Sequence, residues 1–148
     1  MNVRQFEILK REIFDDYIRR FNAEDPTTFD DYISPYMVML NGALEFRGVA
    51  GMRDHYENKM WPYFVERLNV LRFVSSDTVL AVQMWTNFTA KRAAETIFGK
   101  VAPGEQFDYR GLIMYDIADG KFTSITVAYN SFTHTKIDRT IIDIGLPH

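Results

Sequence analysis

Residues 39–56 read MLNGALEFRGVAGMRDHY: a strand, a tight turn, a second strand and a helix in quick succession. Tyr36 to Asn41 has the character of a strand, and Asn41-Gly42 is a two-residue hairpin signal. Ala43 to Arg47 returns as the partner strand and Gly48 breaks it. Beyond the break, Val49, Met52, Tyr56 and Met60 recur at helical spacing. Segments of this shape build pockets. Chemistry in such a pocket usually takes a carboxylate near the strand end, yet the strand here delivers Asn41 and the helix offers His55. Asn-Gly is also a turn dipeptide, which gives Asn41 a purely conformational reason to be there.

Outward from this stretch the chain changes character. On the N-terminal side, Phe6, Leu9, Ile13, Phe14, Tyr17, Ile18 and Phe21 predict an amphipathic helix over 4–22. Asp25-Pro26 predicts a second start, the Asp capping and the Pro presetting the first turn. That short helix, PTTFDDYI, ends before Pro35, which disfavours helical backbone in the residue ahead of it. On the C-terminal side every segment reads as strand: RLNVLRFV at 67–74, VLAVQMWTNFTA at 79–90, then 105–117 and 121–133 joined across Ala118-Asp119-Gly120. Residues 91–104 read as a linker, and the tail from His134 to His148 carries an apolar knot, IIDIGL. Helices followed by antiparallel strands predict an α+β domain, with helices on one face of a curved sheet. One domain over 1–148 is expected, its core about 5–133 and its tail 134–148.

At 148 residues the chain is long enough to bury a core unaided. A net charge of −3 without a basic block argues against nucleic acid and anionic membrane as partners. The absence of cysteine removes thiol catalysis, disulfides and cysteine zinc sites. No apolar run approaches the roughly 18 residues of a membrane helix, and the N-terminus lacks a signal-type apolar stretch, so a cytoplasmic protein is expected. No spacing of His55, His134 and His148 with carboxylates suggests metal ligands, and no phosphate-cradling loop predicts a cofactor. Twelve Phe, eight Tyr and two Trp suit an aromatic cavity as well as a core.

The order of these pieces resembles the NTF2-like superfamily, a cone-shaped α+β fold that includes ketosteroid isomerases, limonene-epoxide hydrolases, SnoaL-type polyketide cyclases and scytalone dehydratase. DYIRRFNAEDPTTFDDYISPYMVM, FRGVAGMRDHY, YRGLIMYDIADGKF and ITVAYNSF carry the likeness over roughly residues 5–133. It implies helices packed on a strongly curved mixed or antiparallel sheet around a cavity. Against the isomerases, Tyr17 falls at the oxyanion-hole tyrosine and Asn41 at the proton-shuttling aspartate. The second carboxylic acid would fall at Leu112 or Ile113. Against the epoxide hydrolases, the Asp–Arg–Asp trio falls on Thr86, Met84 and Val127, and a water-holding asparagine on Asn41. The carboxylates of both mechanisms are missing from their family positions.

The resemblance also implies which side chains face inward: Val82, Met84, Thr86 and Phe88, with Gln83, Trp85 and Asn87 opposite. The expected lining is Tyr17, Asn41, His55, Met84, Thr86, Tyr109, Tyr115, Val127 and Tyr129, with Trp61 and Phe64 near the mouth. Asp108 and Arg110 are expected on the outer face as an ion pair, and Asp54 in solvent. His55 is the one group there that exchanges protons near neutrality unaided. Burial would keep it neutral and fit to act as a base, with Tyr17 donating to an oxyanion and Asn41 orienting a carbonyl or a water.

Three readings follow. The first is a cofactor-free lyase, isomerase or cyclase of SnoaL-like kind, acting on a small hydrophobic carbonyl or hydroxy-carbonyl compound through His55, Tyr17 and Asn41. The second is a module that binds a hydrophobic molecule without turning it over, favoured by the missing carboxylates. The third is an assembly role through the outer face, where Gln83, Trp85 and Asn87 would join two copies in a homodimer.

Overall fold

Helix α1 (Val3–Asn22) is the first element of the computed structural model, which describes residues 3–145. Its inward stripe is Phe14, Tyr17, Ile18 and Phe21, all buried, while Ile13 stays half exposed. The side chains of Phe6 and Leu9, part of the expected stripe, lie outside the described residues, as does His148. Helix α2 (Thr27–Tyr32) starts one residue later than expected, with Pro26 at the cap position; just ahead of it the Asp25 carboxylate accepts from the Thr27 N–H at 3.0 Å and from its hydroxyl at 2.6 Å.

The chain then forms β1 (Ile33–Asn41), β2 (Leu44–Arg47) and α3 (Gly48–Arg53), followed by a π-helical segment over Asp54–Met60. Strands β3 (Phe64–Ser75) and β4 (Val79–Ala90) come next, then a small hairpin of β5 (Ala94–Thr96) and β6 (Gly99–Val101). Long strands β7 (Gln106–Ala118) and β8 (Lys121–Thr135) and a short β9 (Ile141–Asp143) complete it. The main sheet runs β2-β1-β8-β7-β4-β3, with β9 on the far half of β8. Only β1 and β8 pair in parallel; the other neighbours are antiparallel. Helices and sheet enclose an α+β core of aromatic rings, methionines and aliphatic side chains.

Several boundaries differ from the sequence expectation. β1 begins at Ile33 and passes through Pro35, because its pairing with β8 is broken between Ile33 and Val38, where a proline costs no ladder bond. β3 begins at Phe64, three residues before the predicted start, and the linker holds the β5–β6 hairpin. The turn of that hairpin is tied by the Thr96 hydroxyl, which donates to the Gly99 carbonyl and accepts the Phe98 N–H. The tail folds back as β9 against Thr133–Thr135, and its Ile141, Ile142 and Ile144 remain exposed.

Two glycines shape the pocket end. Gly48 opens α3 at φ +66°, where a Cβ would stand 2.7 Å from the Pro35 carbonyl oxygen. Gly111 lies where the β7–β8 register shifts, and a Cβ there would meet the Tyr129 Cα at 2.3 Å. That shift makes Asn130 the extra residue, so Tyr129 and Phe132, three apart, both turn toward Tyr109.

Candidate functional site

Asn41 is the last residue of β1, paired with Leu44, and the two-residue turn is Gly42-Ala43. Gly42 supplies the positive φ of +59° that the first turn position takes. The predicted turn therefore lies one residue later, and Asn41 keeps a strand side chain that reaches the cavity. Its Oδ1 is buried and has no hydrogen-bond partner.

The helix opposite delivers two consecutive inward side chains. Past Arg53 the backbone widens to π geometry, closed by the Trp61 N–H donating to the Tyr56 carbonyl at 2.8 Å. His55 and Tyr56 are both buried and both line the cavity. The His55 imidazole stacks on Phe46, and Tyr56 meets it edge-on. Burial, with a smaller push from Lys59, lowers the His55 pKa to about 4, so the ring is neutral at physiological pH. Asp54 points to solvent as expected, accepting from Asn58 and pairing with Lys59.

Glu66 is the residue that sequence reasoning missed. It lies on β3 opposite Phe88, alternates inward with Phe64, and is 4% exposed. Its Oε2 is buried with no hydrogen-bond partner, and its side chain lines the same cavity as His55 and Asn41. Burial, assisted by Glu24, raises its pKa to about 8, so it carries a proton at neutral pH. Starting the strand at Arg67 had left Glu66 outside the alternation. Extending the period of two back through Leu68, Glu66 and Phe64 would have turned it inward.

Tyr17, Thr86, Tyr109, Tyr115 and Val127 line the cavity with these three groups. Burial raises the pKa of Tyr17, Tyr109 and Tyr115, and Glu66 adds to the effect on Tyr17 and Tyr109. Their phenols stay protonated and are available as donors. Four expected lining residues are placed elsewhere. Met84 is buried in the core but does not border the cavity, and Tyr129 stacks behind Tyr109 at 4.6 Å. Trp61 and Phe64 are buried core residues that do not border the cavity. Trp61 stacks on Phe29, and Phe64 packs edge-on against Phe88 and Phe107.

The cavity encloses about 70 Å³, well below the ~300–1,000 Å³ of typical ligand sites. Leu44 and Ile97 border it yet are exposed, which marks the mouth. Ile97 and Phe98 come from the β5–β6 turn, which Phe98 anchors by packing on Phe64, Phe88 and Phe107. On the outer face, Asp108 and Arg110 do not form the expected ion pair. Asp108 accepts from Trp85 Nε1 at 2.7 Å and from Asn87 at 2.9 Å, while Arg110 lies over the Trp85 ring. Among the described residues, no cluster of histidines and carboxylates has the make-up of a metal site.

A family model described as a SnoaL-like domain matches residues 14–125. No curated protein matches the chain in sequence. Among solved structures, a proposed polyketide cyclase from Xanthomonas campestris aligns with TM-score 0.69 at 20% identity, over 81% of this chain and 89% of that one. A SnoaL-like polyketide cyclase from Agrobacterium tumefaciens aligns with TM-score 0.62 at 18% identity, over 81% and 90%. A Δ5-3-ketosteroid isomerase from a Mycobacterium species aligns with TM-score 0.63 at 16% identity, over 88% and 96%. At these identities the structural likeness speaks for the fold alone.

Proposed function

We propose, since the chain belongs to the SnoaL-like domain family and folds as an NTF2-like cone, that it is a cofactor-free acid–base enzyme of lyase, isomerase or cyclase type. Its substrate is a compact hydrophobic carbonyl or hydroxy-carbonyl compound. The observation that carries this reading is a neutral imidazole, His55, buried in an aromatic cavity beside phenol donors and the orphaned oxygen of Asn41. A neutral imidazole accepts a proton from carbon next to a carbonyl, and a phenol such as Tyr17 stabilises the oxyanion that develops.

A non-catalytic binding module was favoured by the missing family carboxylates. Glu66 brings a carboxyl into the cavity from a different strand, which supports the enzyme reading over that one. A homodimer through the outer face, with Gln83, Trp85 and Asn87 at its centre, remains part of the proposal.

The test is hydrogen–deuterium exchange at the α-carbon of a panel of small cyclic ketones and hydroxy-ketones, followed by NMR. Wild-type protein accelerates exchange, and His55→Gln loses roughly 10²–10⁴-fold of the acceleration while still binding the ketone. Ketones that bind to wild-type protein without any accelerated exchange would leave the chain a binding module.

A further inference from the structure

We infer that Glu66 is the acid of this site: its protonated carboxyl donates to the substrate's carbonyl oxygen, while Asn41 Oδ1 accepts from a hydroxyl elsewhere on the substrate. The inference rests on the enzyme reading above and names the substrate class as a hydroxy-ketone or a phenolic ketone.

The geometry begins with what Glu66 lacks. A carboxyl that is 4% exposed, with one oxygen sealed from solvent and unpartnered, is costly to keep unless something is meant to meet it. The groups among the described residues that raise its pKa, or whose own pKa it raises, are phenols and another carboxylate. Tyr17 comes from α1, Tyr56 from the π-helical segment, Tyr109 from β7, and Glu24 from the turn after α1. Such surroundings hold Glu66 neutral, in keeping with its raised pKa of about 8. A neutral carboxyl has one O–H to give.

The opposite groups match. His55 is neutral and has a free lone pair to receive a proton. Asn41 Oδ1 is a second unpartnered atom facing the same space, and it can only accept. A guest that satisfies the site therefore carries an acceptor for Glu66 and Tyr17, a donor for Asn41, and an acidic C–H for His55. Where the resemblance to ketosteroid isomerases would put the second carboxylic acid, the chain has Leu112, exposed, and Ile113, in the apolar lining. Glu66 supplies the function from the edge strand on the other side of the cone.

The step balances without a co-reactant. The imidazole takes the α-proton; the C–H electron pair becomes the C=C bond of an enol. The C=O π pair moves to oxygen, which takes the Glu66 proton. The site is left with imidazolium and carboxylate. Returning the proton from the imidazolium to carbon, and the enol proton to Glu66, completes an isomerisation or exchange.

Two measurements test it. In the first, infrared difference spectra of wild-type protein and Glu66→Gln at neutral pH, with and without cyclohexenone, read the carboxylic-acid C=O band. The band is expected in wild type, absent from the variant, and shifted to lower frequency when the His55 resonance reports cyclohexenone bound. In the second, Glu66→Gln is expected to slow α-carbon exchange about 10²–10³-fold, the loss typical of one oxyanion donor, with little change in cyclohexenone affinity. A missing acid band, or a band unmoved by bound cyclohexenone, overturns the inference whether or not turnover is seen. Full exchange in Glu66→Gln overturns it while leaving His55 as base; no exchange in wild type instead sinks the enzyme reading on which it rests.

Discussion

The His55 ring lies face to face with Phe46, centroids 4.7 Å apart and planes 20° from parallel. Phe46 is the residue of β2 that roofs the imidazole against water, and water is what a protonated imidazole would need. Phe46→Ala is expected to raise the His55 pKa from about 4 toward the ordinary 6.5, read from the imidazole C–H resonances. An unmoved pKa would mean that Tyr56 and the rest of the cavity keep the ring dry without Phe46.

His55 and Glu66 bend the stability curve from opposite sides. The folded pKa of His55 is depressed, so the unfolded chain takes up a proton first as pH falls through 6.5. Its contribution, about 3 kcal/mol, is present above pH 6.5 and is lost toward pH 4. The folded pKa of Glu66 is raised, so stability is lost as pH climbs from 4.5 to 8. Urea unfolding across this range should show both slopes. Glu66→Gln should flatten the alkaline one and leave the variant more stable at pH 8, by an amount on the order of 2–4 kcal/mol. A variant with the wild-type alkaline slope would mean that Glu66 is ionised in the folded protein.

Gly48 and Gly99 both sit at positive φ, +66° and +90°, but only Gly48 is crowded by another backbone atom. Gly99→Ala should therefore cost only the strain of the left-handed conformation, about 1 kcal/mol. Gly48→Ala must also push the Pro35 carbonyl aside and should cost on the order of 3 kcal/mol. Thermal unfolding of the two variants side by side checks the ordering.

The outer face offers a sharper dimer test than its tryptophan. The Trp85 indole is already engaged by Asp108 and Arg110. Leu112 and Met114 stand 59% and 52% exposed on β7, opposite Gln83 and Ala81. If two copies meet through this sheet, Leu112→Arg together with Met114→Arg should halve the mass measured by light scattering. A wild-type mass equal to one chain would remove the dimer.

The cone, its helices and the inward parity of β4 were legible because hydrophobic periodicity encodes them directly. Thr86 and Phe88 face in and Gln83 faces out as alternation requires. Asn41, His55, Tyr17, Tyr109 and Tyr115 were found because each combines that parity with a resemblance to a known pocket. Glu66 was not, since a charged residue at a strand boundary reads as the end of the buried stretch. Only the closed cone reveals that the first inward residues of β3 are walled in by helix and sheet together. The π-helical segment was hidden for a different reason. The spacing of Val49, Met52, Tyr56 and Met60 fits an α-helix, and an inward His55 beside Tyr56 does not by itself signal the wider winding.

That wide turn has a consequence for how such pockets change over evolutionary time. A π-helical turn is an α-helical one with a residue inserted, and around it Arg53 and Glu57 are half-buried while Asp54, Asn58 and Lys59 are exposed. Deleting one residue among the exposed ones would restore α-helical winding with no cavity contact removed from the sequence, and it would rotate either His55 or Tyr56 out of the cone. A single codon gained or lost on the solvent side can thus add or withdraw a proton-accepting group inside. Position-by-position alignment across such an indel would pair His55 with a residue that never faces the cavity.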